Sequence, residues 1–135
     1  MTRRTTRASR PADGAVVREP NPRAAKLRWR WAFGVALAVQ LTVVYAPTAP
    51  GGPQINGLDK VVHILIFFAP ALAALMMGLR ARWALGILAL HAPVSELIQH
   101  FGLPQRNGDV FDVMADLMGV VLGGLAYMVW KRRHP

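Results

Sequence analysis

Cysteine is absent from the 135-residue chain. That excludes disulfides, thiolate metal centres and thioester chemistry, and removes cysteine usage as a guide to redox compartment. Acids are scarce, with seven Asp and Glu against sixteen Lys and Arg and a net charge of +9. Also missing are an internal repeat, a Gly-rich phosphate loop, a nucleophile elbow, a kinase motif and an H-E-x-x-H helix. The usual starting points for nucleotide, ester and zinc-protease chemistry are therefore not there. What is abundant is apolar surface: 53% of residues are hydrophobic and mean hydropathy is +0.29. This is oilier than an ordinary soluble domain, so a membrane protein is the class to test first.

A bilayer core of about 30 Å takes roughly 20 helical residues. Four segments approach that length, residues 31–46, 61–79, 83–101 and 110–130. Leu27, Trp29 and Trp31 extend the first into the interfacial zone that Trp favours. The segments are separated by APTAPGGPQINGLD, by the two-Arg turn RAR and by GLPQRNGD, all rich in helix breakers or charge. The pattern predicts an all-α membrane protein, a bundle of four transmembrane helices over residues 29–135. The polar, aperiodic basic arm of residues 1–28 is expected to be disordered and held near anionic lipid. Pro70 and Pro93 are expected to kink the second and third helices. His91, near Pro93, is expected to bond a backbone group that the proline frees. The methionines Met76, Met77, Met114, Met118 and Met128 read as packing or lipid-facing residues.

The positive charges are placed by topology. Fourteen of the sixteen Lys and Arg fall on one side: nine up to Arg30, then Arg80 and Arg82, then Lys131, Arg132 and Arg133. Only Lys60 and Arg106 fall on the other, so both termini are expected in the cytoplasm. The same bias accounts for the basic arm, and no nucleic-acid partner is expected. The arm is too long for the n-region of a signal peptide, and the small-residue run APTAP would leave Pro after the cut, so a retained signal-anchor helix is expected. TRRTT is not followed closely enough by an apolar stretch to act as a twin-Arg export signal.

The acids follow the opposite bias. Beyond Asp13 and Glu19 in the arm, the remaining five are Asp59, Glu96, Asp109, Asp112 and Asp116, all at the outward side or just inside it. At about 100° per residue, Asp59 and His63 share a helix stripe with Lys60 beside them. Glu96, Gln99 and His100 share a second stripe. Asp109, Asp112 and Asp116 share a third with Gly119 and Gly123. The last pair is a G-x-x-x-G, which lets helices approach closely and turns the aspartate stripe toward neighbouring helices, in this chain or a second copy. An ionised side chain facing lipid would cost on the order of 3 kcal/mol at mid-membrane. Glu96 and Asp116, roughly 7 to 9 Å below the outer boundary at about 1.5 Å per residue, therefore need partners. Lys60, His63 and Arg106 are the candidates.

Together, DKVVH and SELIQHFGLPQRNGDVFDVMADLMG resemble the VanZ-like membrane proteins. That family has Asp-Lys-x-x-His opening one helix, Glu-x-x-Gln closing the next, an Arg in the turn, and Asp-x-x-x-Asn-x-x-Gly opening the last. The matching positions are Asp59, Lys60, His63, Glu96, Gln99, Arg106, Asp112 and Gly119. Two positions depart from the pattern. Asp116 stands for the Asn, which adds an acid that must be protonated or lean on Arg106 or Lys60. Phe67 stands where a Tyr is common, which removes a hydroxyl. The resemblance implies a bacterial inner-membrane protein and, through the family's namesake, a part in teicoplanin-type glycopeptide resistance.

Three roles for the cluster of Asp59, Lys60, His63, Glu96, Gln99, Arg106, Asp112 and Asp116 remain open. It is a fold device locking three helices, an outward-facing site for an anionic or amide-bearing envelope ligand, or an intramembrane acid/base pair. The ligand class would be a lipid-linked wall precursor or a lipoglycopeptide. The acid/base pair, which the residues favour least, would use Glu96 and His63. Glu96 and His100, with His63 and Asp112 or Asp116, are metal-ligating types, but without a zinc-helix motif neither a metal nor another cofactor is expected. Because the polar residues stop at the outer third, they do not trace a transport path.

Overall fold

A computed structural model describes residues 21–46, 57–103 and 109–134. The described residues form four helices, α1 (Pro22–Tyr45), α2 (Leu58–Met76), α3 (Ala81–Gly102) and α4 (Val110–Arg133). Helix α1 starts well inside the stretch expected to be a disordered arm, which is a correction for residues 22–28. The cause is local: the Asn21 side chain accepts a hydrogen bond from the Arg23 N–H at 3.0 Å, and proline occupies the first helical position. Both are helix-start devices, and the following Ala, Lys and Leu are good helix formers. The rest of the arm lies outside the described residues.

Between α2 and α3 the chain turns at Gly78, whose φ of 99° is a left-handed conformation that only glycine adopts without strain. The Gly78 and Leu79 N–H groups donate to the carbonyls of Leu75 and Ala74, closing the end of α2. Pro70 and Pro93 both lie within continuous helices.

Helix α2 packs most heavily on α4, for a reason visible in two glycines. A Cβ at Gly119 would collide with the Ile64 carbonyl oxygen and approach Phe67 Cβ to 3.0 Å, and one at Gly123 would lie 2.8 Å from Ala71 Cβ. The G-x-x-x-G is therefore spent inside the chain, letting α4 lie backbone to backbone on α2. The pairs Lys60–Asp112, His63–Asp116 and Phe68–Gly123 advance together, so α2 and α4 run the same way. Glu96 meets Asp109 and Leu85 meets Gly124, so α3 runs opposite to α4. Val44, Phe67, Ala71, Leu88, Ala92 and Val120 form the central apolar cluster.

Around this apolar core the burial pattern departs from that of a soluble bundle. Trp31, Ile87, Leu90 and Val110 are each more than 60% exposed, whereas Gln40, Ser95, Glu96, Gln99 and Asp116 are buried. Water-facing surfaces seldom carry contiguous apolar areas of this extent. Helices α2 and α4 are long and apolar enough to cross a membrane. Helices α1 and α3 are more polar: α1 opens with Arg23, Lys26, Arg28 and Arg30, and α3 carries Arg82, Ser95, Glu96 and Gln99.

Candidate functional site

The site forms where α2 and α4 begin and α3 ends. Lys60, in the first turn of α2, is its charge hub. Its ammonium lies 2.8 Å from Asp109 Oδ2 and 3.3 Å from Asp59 Oδ2, and also contacts Asp112 Oδ1. Asp109 caps α4 by accepting from the Phe111 N–H at 2.9 Å, and Asp112 sits in the first turn of the same helix. Both acids therefore also face the positive end of that helix dipole. The Lys60 hydrogen bond, followed by the Phe111 N–H, holds the Asp109 carboxyl below its ordinary value.

One turn deeper, His63 Nδ1 lies 2.9 Å from Asp116 Oδ1, and His63 Nε2 is 3.9 Å from Asp112 Oδ2. Asp116 is fully buried, and its Oδ2 has no hydrogen-bond partner. From α3, Glu96 accepts from the Asp109 N–H at 2.9 Å and from Gln99 Nε2 at 3.3 Å. That first bond stitches the end of α3 to the start of α4. His63, Glu96 and Asp116 each offer a ligand atom, all within 4.8 Å of one another.

Thus Lys60, His63, Glu96, Gln99, Asp112 and Asp116 are brought together. Asp59 touches Lys60 from the rim with its side chain 60% exposed. Arg106 lies outside the described residues. His100 is exposed, with its ring against Phe101 at 4.7 Å between centroids. Of the three candidate partners, His63 is the one that meets Asp116 among the described residues. Lys60, nearer the helix start, reaches Asp59, Asp109 and Asp112 and not Asp116 among the described residues. With three carboxylates already on its ammonium, Lys60 has little capacity left for an anionic ligand.

Beneath this layer lies a polar group that sequence reasoning missed. His91 of α3 has Tyr45 Oη 3.0 Å from Nε2 and Gln40 Nε2 3.4 Å from Nδ1, both from α1, and its ring stacks on Phe67 at 5.6 Å. His91 therefore bonds across helices and not to a backbone group freed by Pro93, since the two α1 side chains occupy both ring nitrogens. Gln40 and Tyr45 thus engage the two ring nitrogens from one helix. The phenol lacking at Phe67 is present beside it, on another helix. The only sequence signal was that Gln40 and Tyr45 interrupt an apolar run.

Groups of this kind can bind or orient a polar ligand, hold a cation or clamp helices. Between α3 and α4 a groove of about 250 Å³ opens beside the cluster, lined by Pro93, Glu96, Leu97, His100, Asp109, Val110 and Val113. No curated protein and no solved structure matches the chain. Residues 16–131 do match a family model, described as VanZ/LLP1. That match spans most of the chain and all of the cluster. With two helices able to cross a bilayer and an apolar exterior around buried acids, the molecule is a membrane protein that belongs to the VanZ/LLP1 family.

Proposed function

We propose that the chain is a multi-pass protein of the bacterial inner membrane, with all four helices spanning and both termini cytoplasmic. The cluster would face outward, take an amide-bearing envelope ligand, such as a lipid-linked wall precursor or a lipoglycopeptide, and so contribute to glycopeptide resistance of the teicoplanin type. At about 1.5 Å per residue, α1 and α3 are about 36 and 33 Å long, enough for the bilayer core despite their polar ends. The described Lys and Arg other than Lys60 lie toward the end of the bundle away from the cluster, as the positive-inside rule requires for cytoplasmic termini.

One observation carries the ligand reading: the groove between α3 and α4 is polar at one edge and apolar along its wall. Glu96 and Asp109 supply carboxylate acceptors for amide or ammonium donors, while Leu97, Val110 and Val113 offer a surface for a lipid tail. An amphiphile with a peptide head matches that division better than a free anion, given the saturation of Lys60.

The contacts made by Lys60 and Glu96 also support a second reading, in which the cluster only clamps helices. Expressing Glu96→Gln and Arg106→Ala in a susceptible host and measuring both teicoplanin susceptibility and thermal stability in detergent separates the two. Stable variants that lose protection support the ligand site. Variants that lose stability and protection together support the clamp. Full protection with full stability overturns both.

A further inference from the structure

Three groups at the base of the cluster, one of them the Glu96 that also lines the groove, converge in a way that neither the groove nor the helix clamp explains. His63 from α2, Glu96 from α3 and Asp116 from α4 converge with ligand atoms within 4.8 Å of one another. Glu96 is 5% exposed, Asp116 fully buried, and the His63 side chain only 12% exposed. Asp116 uses one oxygen on His63 Nδ1 and leaves its buried Oδ2 without a hydrogen-bond partner. A buried polar atom left without a partner in a native fold calls for an explanation such as an ion.

We propose that His63, Glu96 and Asp116 form a binding site for one divalent transition-metal ion of the zinc type. Imidazole nitrogen with two carboxylate oxygens is a ligand set that suits zinc and its first-row neighbours, and the nitrogen disfavours magnesium or calcium. The ion takes the place of the proton on His63 Nδ1 and draws on the Asp116 carboxylate, its unpartnered Oδ2 included, so that binding releases a proton and leaves the ring neutral. The other ring nitrogen, Nε2–H, then faces Asp112 Oδ2, and Lys60 holds Asp112 from the far side. A carboxylate behind a ligating histidine is the usual device for fixing its tautomer and orientation. Drawing the three ligands onto one centre needs only a modest contraction, since zinc bonds of about 2.0 to 2.2 Å place neighbouring ligand atoms roughly 3.4 Å apart. Three protein ligands leave a coordination position open for water or for a donor atom of a bound molecule. The site shares Glu96 with the groove, but its His63 and Asp116 ligands lie outside the groove lining, so metal binding is tested apart from any envelope ligand.

The test uses the full chain without an affinity tag, purified in detergent, stripped with chelator, dialysed against zinc and analysed for metal per chain. About one zinc per chain is expected. Asp116→Asn and His63→Gln each lower zinc affinity by about tenfold or more, while His134→Ala, an exposed residue at the opposite end of α4, leaves it unchanged. Less than a tenth of a zinc per chain in the unsubstituted protein overturns the proposal. So does undiminished zinc in both site variants, loss of zinc in His134→Ala, or displacement of zinc by an equal concentration of magnesium. Where a site variant does not fold, cobalt added to the unsubstituted protein decides. Intense visible bands from a low-coordinate nitrogen and oxygen site support the assignment, and the spectrum of the hydrated ion overturns it.

Discussion

Lys60 shows how one residue determines the local design. Three carboxylates converge on its ammonium, two of them at the start of α4, so it offsets a like-charge repulsion that its own side chain did not create. Lys60→Met, which keeps the stem and removes the charge, should destabilise the protein by about 1 to 2 kcal/mol. That is less than the loss for a fully buried pair, because the Lys60 side chain is 32% exposed and water screens part of the interaction. Thermal unfolding in detergent measures it. At the second polar layer, Tyr45→Phe deletes the hydroxyl that His91 bonds, leaving a ring nitrogen unsatisfied within the bundle. A loss of about 1 to 2 kcal/mol is expected in the same assay.

At the scale of elements, the contact of α2 with α4 decides which polar residues can meet. Gly119 and Gly123 bring the two backbones close enough for Lys60 and His63 to reach acids on α4. Gly119→Ala would place a methyl against the Ile64 carbonyl and the Phe68 N–H, backbone groups that cannot move aside without shifting a helix. The expected cost is about 2 to 3 kcal/mol, and the separation of α2 from α4 should also weaken any activity of the cluster. Gly124→Ala is the internal control. Its Cβ would meet only the tip of Leu85, at 3.2 Å, and a flexible side chain can turn away, so a loss of less than about 1 kcal/mol is expected. Equal losses at the two positions would contradict the packing described.

For the whole molecule, charge and polarity separate along the bundle axis. The described acids lie at the end where α2 and α4 start, while Arg80, Arg82 and Lys131 to Arg133 lie at the other. With no native cysteine in the chain, single introduced thiols report topology without background. Val110→Cys, at the cluster end, should be labelled by an impermeant reagent from outside intact cells. Arg133→Cys should be labelled only after permeabilisation, and the reverse pattern would invert the proposed orientation.

Much of this was legible in the residues alone. Breakers and apolar periodicity marked four helices to within a few residues at most ends. The exception was the start of α1, where Asn21 and Pro22 form a cap and first-turn pair short enough to be lost in a polar arm. The spacing of Asp59 with His63, Glu96 with Gln99, and Asp112 with Asp116 identified the residues that share an end, because helical period is a local property of each segment. Which of them pair was settled only by tertiary packing. The rotation of α4 against α2, fixed by two glycines, gives His63 to Asp116 and Lys60 to Asp112. The placement of α1 beside α3 brings Gln40 and Tyr45 to His91. Neither follows from the period of one helix, since the rotation and offset between two helices depend on how both surfaces interlock.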